Sequence, residues 1–140
     1  MSIYDISTDM MVKRFNNEVE TWTAKNASHL PIETIQRKLA LDVLRSAVFY
    51  TPVDTGYLRF NWQVGINKLP QEPIGERPKG DKKAPQNSAT VGKLPKWSVV
   101  YLSNPVEYAE YVEEGTPRMQ ARKMLARALQ DVVAEMQAGA

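Results

Sequence analysis

The chain has 140 residues, of which 43% are apolar and 24% charged, and its formal net charge is +2. This length and apolar share predict one domain, residues 1–140, with a hydrophobic core of its own. The absence of cysteine excludes disulfides, thiol nucleophiles and the common zinc sites. The small net charge excludes a strong overall attraction to nucleic acid, and no apolar run is long enough to cross a bilayer. We therefore expect no membrane contact and assembly in the cytoplasm.

Two N-terminal segments have the apolar periodicity of helices. The first, from about Thr8 to Ala27, has apolar residues at spacings of four, four and three, and a cap at Ser7 or Thr8. The second begins at Pro31 and has a wide apolar stripe over several turns. Pro52 is expected to end it, because proline disfavours helical geometry in the residue before it.

The apolar period then changes to two. Even positions from Leu58 to Ile66 are apolar, which predicts a half-buried strand, and a second strand, antiparallel to it, is predicted over Trp97 to Ser103. Residues 67–96 between them contain five prolines, three glycines and a net charge of +4. We expect this basic loop to project from the hairpin. Its candidate contacts with DNA or a neighbouring subunit are Arg77, Lys79, Lys82, Lys83 and Lys93.

The C-terminal part reads as two more helices. A short one follows Asn104 and Pro105 and ends at Gly115, and the last runs from after Pro117 to about Met136. The elements together predict an α+β fold. It has long N-terminal helices, a small antiparallel sheet with a long hairpin loop, and a C-terminal helix packed on the sheet.

Signals for catalysis or ligand binding are few. His29 is the sole histidine, no pair of carboxylates stands at a telling spacing, and no glycine-rich phosphate loop follows a strand. We therefore predict no catalytic, metal or cofactor site.

The tripeptide DTG at residues 54–56 is the one motif that points to an enzyme. In aspartic peptidases this tripeptide carries the catalytic carboxylate, and a single copy of it implies a homodimer using Asp54. Such enzymes are all-β, whereas a long helix precedes the motif here. We favour a structural turn, in which Pro52 stops the helix, Asp54 accepts backbone N–H bonds, and Gly56 supplies a positive φ if the corner needs one.

An acidic run and a basic set follow each other near the C-terminus. They are either two solvated helix faces or the two sides of a contact between subunits, where opposite charges fix the register. Tyrosines in the acidic run would add the aromatic residues in which interfaces are enriched, but the charge pattern alone leaves both interpretations open. The predicted interface residues are Tyr108, Tyr111, Glu113, Glu114, Arg118, Arg122 and Arg127.

Three blocks in fixed order resemble the minor tail, neck and tail-completion proteins of lambda-like long-tailed phages. They are PVDTGYLR at 52–59, YAEYVEEGT at 108–116 and ARKMLARAL at 121–129. The family more often has proline and phenylalanine where Lys123 and Met124 stand.

The resemblance implies a virion protein of the neck or tail without catalytic residues. Such proteins form a homo-oligomeric ring, hexameric or dodecameric, at the head-proximal end of the tail. Neighbouring head-connector and tail-tube proteins are the implied partners, and packaged DNA is a further, non-specific contact for the basic loop. A tail-tube terminator ring is the close alternative. A small nucleic-acid-binding module and the dimeric peptidase are the alternatives of other classes.

Overall fold

The computed structural model describes residues 3–26, 31–52, 56–74 and 98–138. These ranges contain a short 3-10 helix, five α-helices and two β-strands. In chain order they are the 3-10 helix Ile3–Asp5, α1 (Thr8–Asn26), α2 (Ile32–Tyr50), α3 (Gly56–Phe60), β1 (Gln63–Ile66), β2 (Val100–Ser103), α4 (Ala109–Glu114) and α5 (Met124–Ala138).

The ends of the two long N-terminal helices lie close to where the sequence predicts them. The Met10 N–H donates to the Ser7 hydroxyl at 3.2 Å, which caps the start of α1. Helix α2 begins directly after Pro31. It ends at Tyr50, where the Thr51 N–H donates to the Val48 carbonyl and the Thr51 hydroxyl to the Ala47 carbonyl, at 3.2 and 2.7 Å.

The core lies between the helices, and the α+β class with a C-terminal helix is confirmed. Helix α5 packs against α2 and α1, while α2 also contacts both strands. Side chains from every layer are buried together, and α5 contributes more of them than any other element of the described ranges. The helices therefore hold the sheet and α4 in fixed positions.

The two strands pair antiparallel, as predicted. The register places Gln63 opposite Ser103 and Ile66 opposite Val100. Beyond the strands, the Asn67 N–H donates to the Val99 carbonyl, and the Val99 N–H donates to Asn67 Oδ1, both at 2.8 Å. The Asn67 side chain thus extends the ladder by one further pair.

The predicted strand over residues 58–66 is wrong in its first half, which forms α3. Leu58 and Trp62 are four residues apart, so an alternating pattern also contains the spacing of a helical face. Asn61, which is fully buried, ends this helix by donating from Nδ2 to the Tyr57 carbonyl at 2.8 Å. The chain then extends at Trp62 and enters β1.

The first residues of the predicted projecting loop lie against the sheet instead. The Gln63 side chain donates to the Glu72 carbonyl at 2.9 Å, the Ser103 hydroxyl donates to the Pro70 carbonyl at 2.9 Å, and the Ile74 N–H donates to Asn61 Oδ1 at 2.6 Å. A Cβ on Gly65 would meet the Lys68 carbonyl oxygen at 2.0 Å, so the close return of the chain requires glycine there. The five candidate contact residues of the loop, between residues 77 and 93, lie outside the described residues.

Candidate subunit-contact surface

Helix α4 ends at a glycine cap, Gly115, and the chain turns back on the helix after it. This residue has a φ of 81°, and its N–H donates to the Tyr111 carbonyl at 2.8 Å, as predicted for a C-terminal glycine cap. After the turn, the Arg122 N–H donates to the Val112 carbonyl at 2.8 Å. The chain therefore runs back along α4 before α5 begins.

Glu113 lies on the inner face of α4 and joins three parts of the fold. Its side chain is 9% exposed, and it accepts a hydrogen bond from the Thr8 hydroxyl at 2.7 Å. It also accepts the backbone N–H groups of Leu125 and Ala126 at 2.8 and 3.1 Å. A carboxylate at this place satisfies free N–H groups of the first turn of α5 and interacts favourably with the helix dipole.

Glu114 forms a second contact beside it, with Lys123. The Lys123 ammonium lies 2.5 Å from Glu114 Oε2 and is nearly fully buried, and the Thr8 N–H donates to Glu114 Oε1 at 3.3 Å. Partial burial acts to raise the pKa of Glu114, but the hydrogen bonds from Lys123 and Thr8 outweigh it and hold that pKa below its ordinary value. The ionised carboxylate is thus part of the folded structure.

Arg127 also has a partner within the subunit. Its guanidinium lies 4.0 Å from the centre of the Tyr50 ring, a cation–π contact between α5 and α2. The Tyr50 hydroxyl donates to Asp131 at 2.5 Å, and this bond, together with burial, raises the pKa of Tyr50. The pair of contacts fixes the C-terminal end of α2 on α5.

The outer face of α4, together with Glu107 and Tyr108 directly before the helix, has a different character. Tyr108 and Tyr111 are 38% and 59% exposed, and Glu107 and Glu110 beside them are exposed as well. Neither of these two carboxylates has an ion-pair partner within the described ranges. We call these four residues the tyrosine–glutamate face.

The predicted interface set therefore divides in two. Tyr108, Tyr111, Arg118 and Arg122 are exposed, whereas Glu113, Glu114 and Arg127 have partners inside the subunit. For Glu113 this is a correction, because burial removes it from any contact surface. Its burial depends on Thr8, more than one hundred residues away in the chain, and no local pattern in the sequence reveals such a contact.

The predicted structural turn at residues 52–56 is described in part. Asp54 lies outside the described residues, and Pro52 follows the end of α2. Gly56 is the first residue of α3, has no positive φ, and has open space where a Cβ would stand, so the conformational role expected of it is not present. Before the corner, the Thr51 hydroxyl accepts the Trp62 indole N–H at 2.8 Å, which ties the end of α2 to the residue after Asn61.

Nothing in the described part of the chain forms a metal site or a membrane span. No group of three or more histidine, aspartate or glutamate side chains in residues 3–26, 31–52, 56–74 and 98–138 is placed to hold a metal ion. In the same ranges, no helix has the length and apolarity that a bilayer crossing requires.

Comparisons with protein-family models, with curated proteins and with solved structures find no match to this chain. The resemblance of the three sequence blocks therefore stays a prediction. One backbone feature of the structure does not fit the sequence pattern that the resemblance implies. Lys123 has a φ of 49°, which the proline more common at this position cannot adopt.

Proposed function

We propose that this protein is a structural component of a phage neck, of the tail-completion type. It forms a homo-oligomeric ring at the head-proximal end of the tail and docks the tail to the head connector. Its place is the virion, its neighbours are the connector and tail-tube proteins, and its role is assembly without catalysis. The three sequence blocks that resemble this family motivate the proposal.

The observation that carries the proposal is the tyrosine–glutamate face. Tyr111 is 59% exposed, and its helix is tied to the fold on the other side by the hydrogen bonds of Glu113 and by the Gly115 cap. Interfaces favour tyrosine because it offers a large contact area at a small entropic cost. Three of the four residues of this face, Tyr108, Glu110 and Tyr111, lie within the block YAEYVEEGT, so part of the block on which the resemblance depends is exposed to solvent.

Ring formation needs two different surfaces that complement each other. A contact between unlike patches is heterologous, and it closes into a ring when the rotation between subunits allows. The exposed guanidiniums of Arg118 and Arg122 are one basic surface available in the described ranges. Contacts of this kind are individually weak at a surface, so a ring would gain specificity from charge and affinity from the tyrosines.

A nonsense mutation in the gene for this chain, in the phage that encodes it, tests the proposed function. We expect filled heads and separate tails of normal length, and joined particles after the purified protein is added to the lysate. Tails of abnormal length would instead indicate the tube terminator, because a terminator ring is what stops the polymerising tube. Complete, infectious particles in the absence of the protein would contradict the proposal.

The substitution Asp54→Asn is the control against the peptidase alternative. A structural neck protein carrying this change still joins heads and tails, since its function requires no catalytic carboxylate. Loss of joining by a variant that remains folded and forms rings would favour an enzymatic role for Asp54.

A further inference from the structure

The tyrosine–glutamate face lies in a segment of the chain with charges of one sign. Residues 104–117 contain four acidic side chains and no basic one. Glu113 is used inside the fold and Glu114 pairs with Lys123, but Glu107 and Glu110 have no ion-pair partner in the described ranges. Two uncompensated carboxylates therefore flank two exposed tyrosines.

A segment of opposite charge occurs in the same chain. Residues 75–97 have six basic and two acidic side chains, a net charge of +4, and contain three prolines. Lysine and arginine side chains bind aromatic rings through cation–π contacts, and prolines pack well on aromatic surfaces. Carboxylates beside the rings would attract the same cations and raise the rate of encounter. The composition of this segment thus matches the chemistry of the tyrosine–glutamate face.

We propose that residues 75–97 of one subunit bind the tyrosine–glutamate face of a second copy of this chain. The inference rests on the proposed ring and names the contact that closes it. Each subunit donates a basic segment and receives one on α4, so the contact is heterologous and is repeated around the ring. The occupant of the face is a neighbouring subunit, and DNA is an alternative ligand of the same segment that the test below separates.

Two charge-reversed variants of the full chain test this contact. The first carries Glu107→Lys and Glu110→Lys, and the second carries Lys79→Glu, Lys82→Glu and Lys83→Glu. Each variant alone places like charges in contact, so its self-association, measured by sedimentation velocity at low salt, should weaken by about tenfold or more. An equimolar mixture should regain association, because each altered surface then meets an altered partner and the two variants alternate.

A matched control carries Glu20→Lys and Glu135→Lys, which make the same change of charge at exposed positions on α1 and α5. This control should associate as the wild type does. Urea unfolding of every variant checks that the fold is intact. If the first variant does not fold, Tyr111→Ala takes its place, with the same expected loss of self-association.

Three results would overturn the contact. They are unchanged association of either charge-reversed variant, failure of the mixture to recover, and recovery by the mixture only when DNA is added. If the wild type forms rings but the mixture does not recover association, the proposed contact is wrong and the proposed neck ring is not contradicted. A wild-type protein that stays monomeric at every concentration and salt tested would remove both.

Discussion

The two faces of α4 both carry glutamate, but the glutamates have different surroundings. Glu110 and Glu113 are one helical turn apart, yet Glu113 is buried with three hydrogen-bond donors around it, whereas Glu110 is exposed without an ion-pair partner in the described ranges. The inner face belongs to the fold, since it ties α4 to the starts of α1 and α5. Within the described ranges, no hydrogen bond or ion pair of a side chain ties the outer face to the rest of the subunit in a comparable way.

The difference shows that neighbouring acidic residues in one run can have separate roles, one in stabilising the fold and one at the surface. A carboxylate at the start of a helix satisfies backbone donors that would otherwise be unpaired, and its loss is costly. A carboxylate on an exposed surface interacts weakly with its own subunit and acts through the field it presents to others. Substitutions on the two faces should therefore separate stability from association.

The largest expected effect is that of Glu113→Ala. It leaves the Thr8 hydroxyl and the N–H groups of Leu125 and Ala126 without their acceptor. The free energy of unfolding, from urea titration, should fall by about 3 kcal/mol. Glu110→Ala is the matched control and should change it by less than about 0.5 kcal/mol. Equal losses of unfolding free energy in the two variants would contradict the claim that only the inner face stabilises the fold.

Gly115→Ala should cause the second-largest loss in the free energy of unfolding. The residue has a φ of 81°, and a Cβ there would lie 2.7 Å from the Ala121 nitrogen, so both strain and a clash with backbone follow. We expect a loss of about 2 kcal/mol in the free energy of unfolding. Gly56→Ala is the control, because open space surrounds its Cβ, and it should be neutral or slightly stabilising. A large loss at Gly56 as well would contradict this interpretation.

The pair of Glu114 and Lys123 predicts a smaller, pH-dependent effect. The pKa of Glu114 is lower in the folded protein than its ordinary value, so the ionised form is favoured by folding. The resulting stabilisation is present above the ordinary pKa, near 4.5, and is lost as the pH falls through the lower, folded value. Glu114→Gln should therefore flatten the pH dependence of the urea midpoint in acid, and an unchanged profile would argue against the pair.

The smallest effect on stability is expected on the outer face. Tyr111→Ala should leave the free energy of unfolding within about 0.5 kcal/mol of the wild type, yet weaken self-association about tenfold or more. Phe49→Ala is the matched control, since Phe49 is 73% exposed at the end of α2 and lies outside the tyrosine–glutamate face. Sedimentation velocity of the two variants measures their self-association. Equal losses would mean that any exposed aromatic residue contributes, whereas a loss in Tyr111→Ala alone would mean that the contact is specific to this face.

Much of the fold follows from local patterns in the sequence. Apolar spacing and the prolines at 31 and 52 place α1 and α2, and Gly115 marks the end of α4. The start of β1 is missed because the alternation at residues 58–62 is also compatible with a helix. The Asn61 side chain bonds the Tyr57 carbonyl four residues back and the Ile74 N–H thirteen residues ahead, and the alternation of apolar residues reveals neither contact.

The candidate surface could be predicted in part for the same reason. Tyrosines within an acidic segment are visible in the sequence, and the structure shows that Tyr108 and Tyr111 are exposed. The internal roles of Glu113 and Arg127 are not visible, because Thr8 and Tyr50 reach them only through the packing of α1 and α2 on α5. Long-range packing sorts the charged residues into internal and external ones.

Electron microscopy of the purified wild-type protein beside the Tyr111→Ala variant tests the central claim most directly. The account predicts closed rings of wild-type protein and dispersed subunits of the variant, with the same urea midpoint for both. Rings of equal abundance in the two samples would contradict the claim that the outer face of α4 carries assembly, as would dispersed subunits in both.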